Sequence, residues 1–388
     1  MTELIVTGVS TILLALAVAA CAYTLFAAWQ VRRLDLRALS SHGPAPAVSL
    51  LKPLYSAEPG LYENLASFCA QDYAGPVQIV CGVRSLHDPA VAVVERLIRD
   101  MPNCELQLVV TAGCSSATND KIANLVGIAA QASNAILIVS DSDIAVGRDY
   151  VTATVAELSR PGVGLVTWLY RGVAIGGTAS RLARMAIDYH FLPSVLVGRA
   201  LGVAHPCFGS TVALTRETLE RVGGFDAFGR HLADDYAIGD AVRALGLSVA
   251  IPAGIVAHAC TERTLGDLFH HELRWARTVR AVDPAGYAGS LVTHPLPLAL
   301  IGACVAGFSF VNVGLVALAV ASRLVLQRQV DHTLGIRGDS WWGLSLARDA
   351  LSFIIYVASF FVSVVRWRGR LYQVRADGTL DPVRETRT

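Results

Sequence analysis

The segment Leu4–Trp29 contains no charged residue and consists mostly of apolar side chains. A transmembrane helix needs about 20 consecutive apolar residues, so this segment is long enough to cross a bilayer. It is unlike a signal peptide, because no basic residue precedes it and its apolar run is too long. Arg32, Arg33 and Arg37 follow directly, and the positive-inside rule then places the following chain in the cytoplasm. The sequence therefore predicts an N-terminal transmembrane anchor over residues 1–31.

Two further apolar runs lie near the C-terminus. Residues 291–320 contain no Asp, Glu, Lys or Arg, and Leu351–Val365 is the second run. The first run contains several glycines, so a single span and a helical hairpin both remain open. Basic residues at 366–370 follow the second run, which favours the cytoplasm for the segment after it. We expect a C-terminal transmembrane region over 291–368, followed by a loose, polar cytoplasmic tail to residue 388.

The overall composition agrees with a membrane protein. Of the 388 residues, 53% are hydrophobic, and the mean hydropathy of +0.49 is high for an ordinary soluble enzyme. The net charge of +1 gives no electrostatic reason to expect a nucleic-acid partner. The eight cysteines have no metal-type spacing, which is typical of free thiols in a reducing compartment.

Between the apolar ends, strand patterns alternate with helix patterns. Strands are predicted at Val48–Leu54, Val77–Val83, Leu106–Thr111, Ala135–Ser140 and Val163–Leu169. Helices are predicted at Leu61–Gln71, Pro89–Asp100, Asp120–Gln131 and Asp149–Leu158. This alternation predicts an α/β fold in which crossover helices connect a mostly parallel sheet. The expected domain covers residues 46–285, after a linker at 40–47.

The segment Thr178–Gly202 has a different character. It mixes charged and apolar residues in an amphipathic pattern and is too charged to span a bilayer. One interpretation is an ordinary surface helix packed on the sheet. The other is a helix lying at the membrane surface, close to where a lipid would enter. The sequence leaves both open.

Two carboxylates, Asp141 and Asp143, directly follow the buried strand pattern at 135–140. Ligands of open α/β sheets bind at the carboxyl ends of the strands. Two carboxylates at this spacing can contact one Mg²⁺ or Mn²⁺ ion, which proteins often hold together with substrate phosphates. The pair alone is a weak signal, because Asp-x-Asp also occurs in ordinary turns.

Three other residues stand at predicted element boundaries. Pro53 ends the first strand, where its missing N–H group is tolerated. Asp88 follows the second strand and can accept hydrogen bonds from a base or ribose, or cap the helix that follows Pro89. Lys121 opens a helix, where its ammonium group can contact phosphate or simply face solvent.

Two motifs further along the chain suggest transfer chemistry. Asp234 and Asp235 begin a predicted helix, where they can cap it. They can also include a general base, because one carboxylate raises the pKa of its neighbour. Arg274 precedes Trp275, and an arginine can bind a diphosphate with two hydrogen bonds. An Arg-Trp pair is also typical of a protein interface.

In order and approximate spacing, Asp88, Asp141, Asp235 and the xxxRW sequence ending at Trp275 resemble a D, D, D, (Q/R)xxRW signature. That signature is found in membrane-bound GT-A glycosyltransferases. The segments that begin at 48 (VSLLKPL), 87 (HDPA), 119 (NDKIANL), 223 (GGF), 233 (ADDY) and 369 (RGRLYQVRADGTL) are similar to the ceramide glucosyltransferase family. That family includes bacterial lipid glycosyltransferases of hopanoid biosynthesis, and QIVCGVRSLHDPAVAVVERL looks closest to this branch.

The resemblance implies a GT-A (Rossmann-like) catalytic domain in a multi-pass protein of the bacterial inner membrane, facing the cytoplasm. The implied reaction is inverting transfer of N-acetylglucosamine or glucose from a UDP-sugar to a lipid hydroxyl. The acceptor would be a bacteriohopanetetrol-type hopanoid or, alternatively, ceramide. The implied roles are uridine binding (Pro53, Asp88), metal binding (Asp141, Asp143), diphosphate binding (Lys121, Arg274) and catalysis (Asp235, Arg274, Trp275).

Two positions depart from the family, and other classes compete with this interpretation. His271 stands where Gln or Arg is usual, and Asp143 stands where ceramide enzymes can have Gly. A processive polysaccharide synthase would need more spans than the three or four expected here. A transporter would need ionisable residues within its spans. A non-catalytic nucleotide-sugar-binding membrane protein would not need every carboxylate.

Overall fold

The computed structural model describes residues 2–36, 45–115, 117–336, 342–362, 364–367, 370–375 and 379–382. Arg37, most of the predicted linker at 40–47 and most of the tail beyond residue 375 lie outside the described residues. The chain divides into two compact units. The sheet unit comprises Asp35–Gly177, Pro206–Thr261 and Tyr372–Thr388, and the helical unit comprises Met1–Leu34, Thr178–His205 and Glu262–Leu371.

The α-helices, in chain order, are α1 (Thr2–Arg32), α2 (Leu61–Cys69), α3 (Ala90–Asp100), α4 (Asp120–Ala129), α5 (Tyr150–Leu158), α6 (Thr178–Ala186), α7 (Leu192–Ala200), α8 (Arg216–Arg221), α9 (Asp234–Ala244), α10 (Leu265–Val282), α11 (Pro284–Gly289), α12 (Pro295–Ala306), α13 (Phe310–Leu334) and α14 (Trp342–Ala358). The strands are β1 (Val48–Pro53), β2 (Val77–Val83), β3 (Glu105–Val110), β4 (Ile136–Val139), β5 (Ile144–Ala145), β6 (Val163–Val166), β7 (Tyr170–Ala174), β8 (Val212–Thr215), β9 (Ser248–Ala250), β10 (Val256–Cys260), β11 (Val364–Trp367), β12 (Arg370–Val374) and β13 (Leu380–Pro382).

The main sheet has the strand order β3-β2-β1-β4-β8-β6-β9. The pairs β1–β2, β2–β3 and β1–β4 are parallel, whereas β8 runs antiparallel to both of its neighbours. All five predicted strands are present within one to three residues of their expected ends. The predicted α/β class with a mostly parallel sheet is therefore confirmed.

A second, small sheet with the order β5-β10-β7 is present in the same unit and was not predicted. Strand β10 runs antiparallel to β5 and parallel to β7. Strand β5 has only two residues, which is too short to give an alternating sequence pattern. Because β5 begins at Ile144, this sheet holds the chain immediately after Asp143.

Close packing between α4 and the sheet fixes the carboxyl ends of β1 and β2. The buried Asn124 side chain donates hydrogen bonds to the carbonyl oxygens of Leu54 and Gly82, at 3.3 and 2.8 Å. A Cβ atom at Gly82 would lie 2.2 Å from Oδ1 of Asn124, so only glycine fits there. Ile122 and Leu125 are almost fully buried in the same core, and such burial stabilises the fold by roughly 1.5–3 kcal/mol per side chain.

In the helical unit, α1 packs against α12 and α13. The shared apolar cluster consists of Ala17, Ala20, Cys21, Leu296, Leu298, Ala299 and Ala319. Among the described residues, Glu3–Arg32 and Phe310–Leu334 are long and apolar enough to cross a membrane. The pair Pro284–Thr293 and Pro295–Ala306 passes the same test only together, with a bend of 72°.

Both C-terminal apolar runs are interrupted. Residues 291–320 are divided between α12 and α13, which are separated by residues 307–309. Leu351–Val365 is also divided, because α14 ends at Ala358 and β11 begins at Val364. The β-branched residues near 364 favour a strand over a helix. A single continuous helix over Leu351–Val365 is therefore not observed.

The segment Thr178–Gly202 forms α6, a π-helical turn (Ile187–Phe191) and α7, all within the helical unit. Asp188 is fully buried in this segment and lies 3.2 Å from Nε of Arg184. Tyr23 of α1 donates a hydrogen bond to Ser194 of α7 at 3.2 Å. The segment thus packs with the apolar helices of the helical unit, and its place at a membrane surface stays a prediction.

The prediction of a loose tail is wrong for the residues described there. Strands β12 and β13 pair antiparallel, with Tyr372 opposite Pro382 and Val374 opposite Leu380. Thr379 also forms an isolated bridge with His231 in the sheet unit. The polar composition that suggested a loose segment is equally compatible with a short hairpin at a surface.

Candidate functional site

Three predicted site residues lie at the same edge of the main sheet. Strand β1 is paired in parallel with β2 on one side and β4 on the other. Pro53 is the last residue of β1 and pairs with Gly82, while Asp88 follows β2 and Asp141 follows β4. The carboxyl ends of these neighbouring strands are where ligands bind in open α/β sheets.

A fully buried lysine supports the turn that carries Asp141. Lys52 on β1 is 0% exposed, and its Nζ atom donates to the Asp141 carbonyl oxygen at 2.6 Å and to Oγ of Ser140 at 3.3 Å. It also lies 3.8 Å from the centre of the Phe68 ring. Burial lowers the pKa of Lys52 to about 8. One signal for this role is visible in the sequence, namely a lysine inside a mostly apolar strand.

Lys121 joins two carboxylates that lie far apart in the sequence. Its Nζ atom lies 2.9 Å from Oδ1 of Asp141 and 3.0 Å from Oδ2 of Asp234. Asn119 caps α4 by accepting hydrogen bonds from the N–H groups of Lys121 and Ile122. Burial opposes the charged form of Lys121, but the charges of Asp141 and Asp234 raise its pKa well above the ordinary value. The side chain is 12% exposed, so the solvent-facing interpretation of Lys121 is wrong.

Asp235 stands in the first turn of α9, beside Asp234. Its carboxylate accepts a hydrogen bond from the N–H group of Tyr236 at 2.8 Å. Burial and the neighbouring charge of Asp234 raise the pKa of Asp235 to about 6. A carboxylate with this pKa is largely ionised at neutral pH and is a stronger base than an ordinary Asp.

Asp143 pairs with a histidine that the sequence analysis did not single out. Nε2 of His258 on β10 lies 3.3 Å from Oδ2 of Asp143. Burial disfavours the imidazolium form, but Asp143 raises the pKa of His258 well above its ordinary value. The ring of Tyr170 lies 5.6 Å from that of His258. Only the small second sheet brings these residues together, so no local pattern could have revealed the pair.

The donor set at this edge suits a hard divalent cation that is completed by substrate. Carboxylate oxygens of Asp141 and Asp143 are the ligands that Mg²⁺ and Mn²⁺ prefer. Gly209 leaves space beside the Asp141 carboxylate, because a Cβ atom at position 209 would lie 2.5 Å from Oδ2 of Asp141. Within the described parts of the chain, no group of three or more His, Cys, Asp or Glu is arranged to hold a metal by itself. A bound ion would therefore need further oxygens, such as those of a diphosphate.

Asp88 acts as a cap in this structure. Its carboxylate accepts hydrogen bonds from the N–H groups of Ala90 and Ser56, both at 2.9 Å. It thereby ties the start of α3 to the loop after β1. Nearby in sequence, Nη1 of Arg84 is buried and has no hydrogen-bond partner among the described residues. Arg84 directly follows β2, and the sequence analysis did not select it.

His271, Arg274 and Trp275 lie on α10 in the helical unit. Nδ1 of His271 lies 2.6 Å from Oε1 of Glu262, and the His271 ring meets the Trp275 ring edge-on at 4.6 Å. His271 is thus held in place by a carboxylate and an aromatic ring. The convergence of Arg274 with the carboxylates of the sheet unit stays a prediction.

The mostly parallel α/β sheet with carboxylates at its ligand-binding edge, joined in one chain to long apolar helices, defines a membrane-associated α/β protein. The sequence profile named Glycosyl transferase family 21 matches residues 12–380. The chain belongs to this family. The predicted recognition and the glycosyltransferase class are confirmed at this level.

Curated relatives and solved structures agree with the family. Ceramide glucosyltransferase 1 of Caenorhabditis elegans is 26% identical over 240 residues, which cover 62% of this chain and 51% of that protein. An N-acetylglucosaminyltransferase of Bradyrhizobium diazoefficiens is 27% identical over 322 residues, covering 78% of this chain and 61% of that protein. The chain therefore aligns with between half and two thirds of each of these relatives.

Among solved structures, the mannosyltransferase PcManGT of Pyrobaculum calidifontis, in complex with GDP-Man and Mn²⁺, has a similar fold. The TM-score is 0.50 at 20% identity, and the match covers 90% of this chain and 98% of that one. This similarity supports the fold.

Proposed function

We propose that this chain transfers a hexose from a UDP-sugar to a hydroxyl group of a membrane lipid, with inversion at the anomeric carbon. The observation that carries the proposal is the placement of Asp235, a carboxylate with a raised pKa. Its neighbour Asp234 is ion-paired through Lys121 to Asp141 at the carboxyl edge of the sheet. Single displacement at a sugar diphosphate needs a general base for the acceptor hydroxyl. It also needs positive charge close to the leaving diphosphate.

In the proposed step, the Asp235 carboxylate accepts the proton of the lipid hydroxyl. The hydroxyl oxygen forms a bond to the anomeric carbon, and the bond from that carbon to the diphosphate oxygen breaks. UDP leaves with the bonding electron pair. One displacement on an α-linked donor gives a β-glycoside, and the step needs no enzyme nucleophile.

Some residues at the sheet edge would contact the nucleotide, and others would contact the diphosphate. Pro53 and Asp88 would lie beside the uridine, at the ends of β1 and β2. Lys121 would compensate diphosphate charge, since its ammonium group lies at the same edge of the sheet, 2.9 Å from Asp141. Arg274 would bind the diphosphate from α10, with Trp275 next to it in sequence. These assignments follow the family resemblance.

A divalent metal, when bound, would stabilise charge on the leaving diphosphate as a Lewis acid. Asp141 and Asp143 would hold it, and their oxygen ligands suit Mg²⁺ or Mn²⁺. The similarly folded PcManGT was solved with Mn²⁺ and a nucleotide sugar, which supports this expectation. His258 holds Asp143 at 3.3 Å and would orient its carboxylate toward the ion.

The proposed acceptor is a hopanoid polyol of the bacteriohopanetetrol type, and the proposed donor is UDP-N-acetylglucosamine. The bacterial N-acetylglucosaminyltransferase among the relatives supports this choice. Glucose transfer to ceramide is the second candidate, supported by the ceramide glucosyltransferase relatives. The proposed location is the bacterial inner membrane, with the catalytic unit facing the cytoplasm because arginines follow α1.

The test is a matrix of two donors and two acceptors. Full-length protein in lipid nanodiscs is given UDP-N-acetylglucosamine or UDP-glucose with either bacteriohopanetetrol or ceramide, and lipid products are identified by mass spectrometry. The proposal expects a glycolipid from the first donor and the hopanoid. Glucosylceramide alone would move the assignment to the second candidate. UDP-sugar binding without any lipid product would favour a non-catalytic binding protein and overturn the proposed function.

A further inference from the structure

The two helices α12 and α13 form an antiparallel hairpin with an apolar, exposed tip. Helix α12 ends at Ala306 and α13 begins at Phe310. At the turn between them, Phe308 is 68% exposed, Phe310 is 100% exposed and Val311 is 80% exposed. Such a concentration of exposed aromatic and aliphatic side chains is unfavourable in water.

Helix α13 as a whole is long enough to cross a bilayer, but the charge-free part of each leg of this hairpin is not. Helix α12 has 12 residues, which corresponds to about 18 Å of helix. The apolar part of α13, residues 310–322, ends at the buried Arg323 and extends about 20 Å. A hydrocarbon core of about 30 Å needs about 20 apolar residues per helix. The charge-free parts of both legs therefore reach only part of the way across.

Polar side chains mark the same level at the base of both legs. His294 directly precedes α12, and Arg323 stands where the apolar part of α13 ends. The guanidinium of Arg323 lies 2.7 Å from Asp349 and 2.7 Å from Nε2 of His190. The His190 and His294 rings lie 6.2 Å apart. Ionisable groups therefore cluster at the base of the hairpin, where the charge-free part of both legs ends.

Helix α1 provides a depth scale for the hairpin. Residues 296–299 share a cluster with residues 17–21 of α1, whereas a Cβ atom on Gly302 would lie 3.0 Å from Leu14. Helix α12 therefore runs antiparallel to α1, toward its N-terminal end. The first turns of α1 extend beyond this contact, with Leu4 79% exposed and Ile5 58% exposed. The tip thus stops short of the end of α1.

Internal hydrogen bonds stabilise the turn, and a turn in hydrocarbon needs such contacts because no water is available there. The side chain of Ser309 accepts a hydrogen bond from the N–H group of Asn312 at 3.2 Å. Nδ2 of Asn312 donates to the Gly307 carbonyl oxygen at 2.7 Å. Gly307 has φ +88°, a conformation that glycine adopts readily.

We propose that α12–α13 is a re-entrant hairpin whose Phe308–Val311 tip binds the acyl chains inside the bilayer, so that α1 is the one helix among the described residues that crosses the membrane completely. Both ends of the hairpin then lie on the side where α1 ends at Arg32. The apolar surface of the tip is covered by lipid hydrocarbon. This assigns a function to the charge-free run at 291–320, namely to anchor the helical unit in one side of the bilayer.

The test measures depth with nitroxide spin labels in proteoliposomes. The exposed cysteines Cys114 and Cys304 are first replaced by alanine, and the labelling of this parent gives the background. Single labels are then placed by Phe310→Cys at the tip, Leu318→Cys on the exposed side of α13 and Leu4→Cys at the end of α1. Collision rates with oxygen and with a water-soluble nickel complex are recorded for each.

A re-entrant tip predicts that the label at 310 meets nickel as rarely as the label at 318 and several-fold less often than the label at 4. It also predicts no reaction of Phe310→Cys with an impermeant maleimide on either side. A full span would make 310 nickel-accessible, leave 318 as the deepest label and allow maleimide reaction from the side of residue 4. That result would overturn the proposal. Val311→Cys provides a second label if Phe310→Cys does not fold.

Discussion

The Nζ atom of Lys121 lies 2.9 Å from Oδ1 of Asp141. From the sequence, Lys121 was expected to contact phosphate and Asp141 to bind a metal ion. The same ammonium group lies 3.0 Å from Asp234. Lys121 thus supplies positive charge to Asp141, the carboxylate that is proposed to hold a metal ion. Its contacts with two carboxylates of the site make Lys121 a sensitive position.

Replacing Lys121 by Gln should lower kcat/KM by at least ~10-fold, because a hydrogen bond to a charged group contributes about 1.5–3 kcal/mol. The charge of Lys121 also lowers the pKa of Asp235. The acid limb of the pH profile should therefore move to higher pH in this variant. Lys121→Arg keeps the charge and should keep the position of the acid limb. An unchanged limb in Lys121→Gln would show that Lys121 does not act on the base.

The pH dependence of transfer should report the raised pKa of Asp235. The base acts in its ionised form, and a pKa of about 6 means that this form is lost as the pH falls through 6. We expect kcat/KM to be level near pH 7.5 and to fall about tenfold per unit below pH 6. An ordinary Asp would keep activity down to about pH 4. Activity that stays level to pH 5 would contradict the assignment.

Lys52→Met should separate activity from stability. Methionine fills a similar apolar volume and removes a buried charge, so the unfolding temperature should change by only a few degrees. The Asp141 carbonyl oxygen loses its donor at 2.6 Å, and the turn carrying both carboxylates is no longer fixed. We expect kcat/KM to fall roughly 10-fold, the effect of about 1.4 kcal/mol.

The matched control for Lys52→Met is Ser49→Ala on the same strand. Ser49 is also buried and donates a hydrogen bond to Gln78 at 2.7 Å, but it lies at the opposite end of β1. This variant should lose some stability and keep its activity. Equal activity losses in both variants would point to a general weakening of the sheet.

The ion pair between Glu272 and Arg348 should stabilise the helical unit. Oε2 of Glu272 on α10 lies 2.5 Å from Nη2 of Arg348, whose side chain is 2% exposed. Glu272→Gln leaves the arginine buried without its charged partner, which typically costs about 3–5 kcal/mol. Thermal unfolding in detergent measures the effect. Arg96→Gln, in the exposed pair with Asp100, should cost no more than about 1 kcal/mol.

The double variant Glu272→Leu with Arg348→Leu completes the test of this pair. Because it leaves no unpaired charge, it should recover much of the stability that Glu272→Gln loses. A double variant as unstable as the single one would show that packing around the pair, and not the uncompensated charge, determines the loss.

Long apolar patterns predicted much of the fold correctly. The strands β1, β2 and β4 were found because each is a continuous buried run, and α3 and α4 were found from their helical patterns. Strand β5 was missed because two residues carry no periodicity. Antiparallel β8 was missed because a short apolar run does not reveal its direction.

The candidate site residues were predictable only where they directly follow a strand. The positions of Asp141 and Asp88 after their strands were predicted in this way, and their functional roles stay predictions. The contact of Lys121 with Asp234, and that of Asp143 with His258, join residues more than 110 positions apart in the sequence. Such contacts depend on how α9 and the second sheet are placed, which no local pattern records. The role of Lys52 was missed because a lysine is unusual in a buried strand and the neighbouring residues do not indicate what its side chain contacts.

The central claim, that Asp235 is the base of a sugar transfer, is tested most directly by Asp235→Asn. Wild type, Asp235→Asn and Asp240→Asn are compared for UDP-sugar binding by calorimetry and for transfer of labelled sugar to lipid. Asp240 stands on the same helix with its side chain 70% exposed, so it is the matched control. We predict that all three proteins bind the donor and that only Asp235→Asn loses transfer, by about 10²–10⁴-fold. Transfer by a folded Asp235→Asn protein at a rate near wild type would contradict the account.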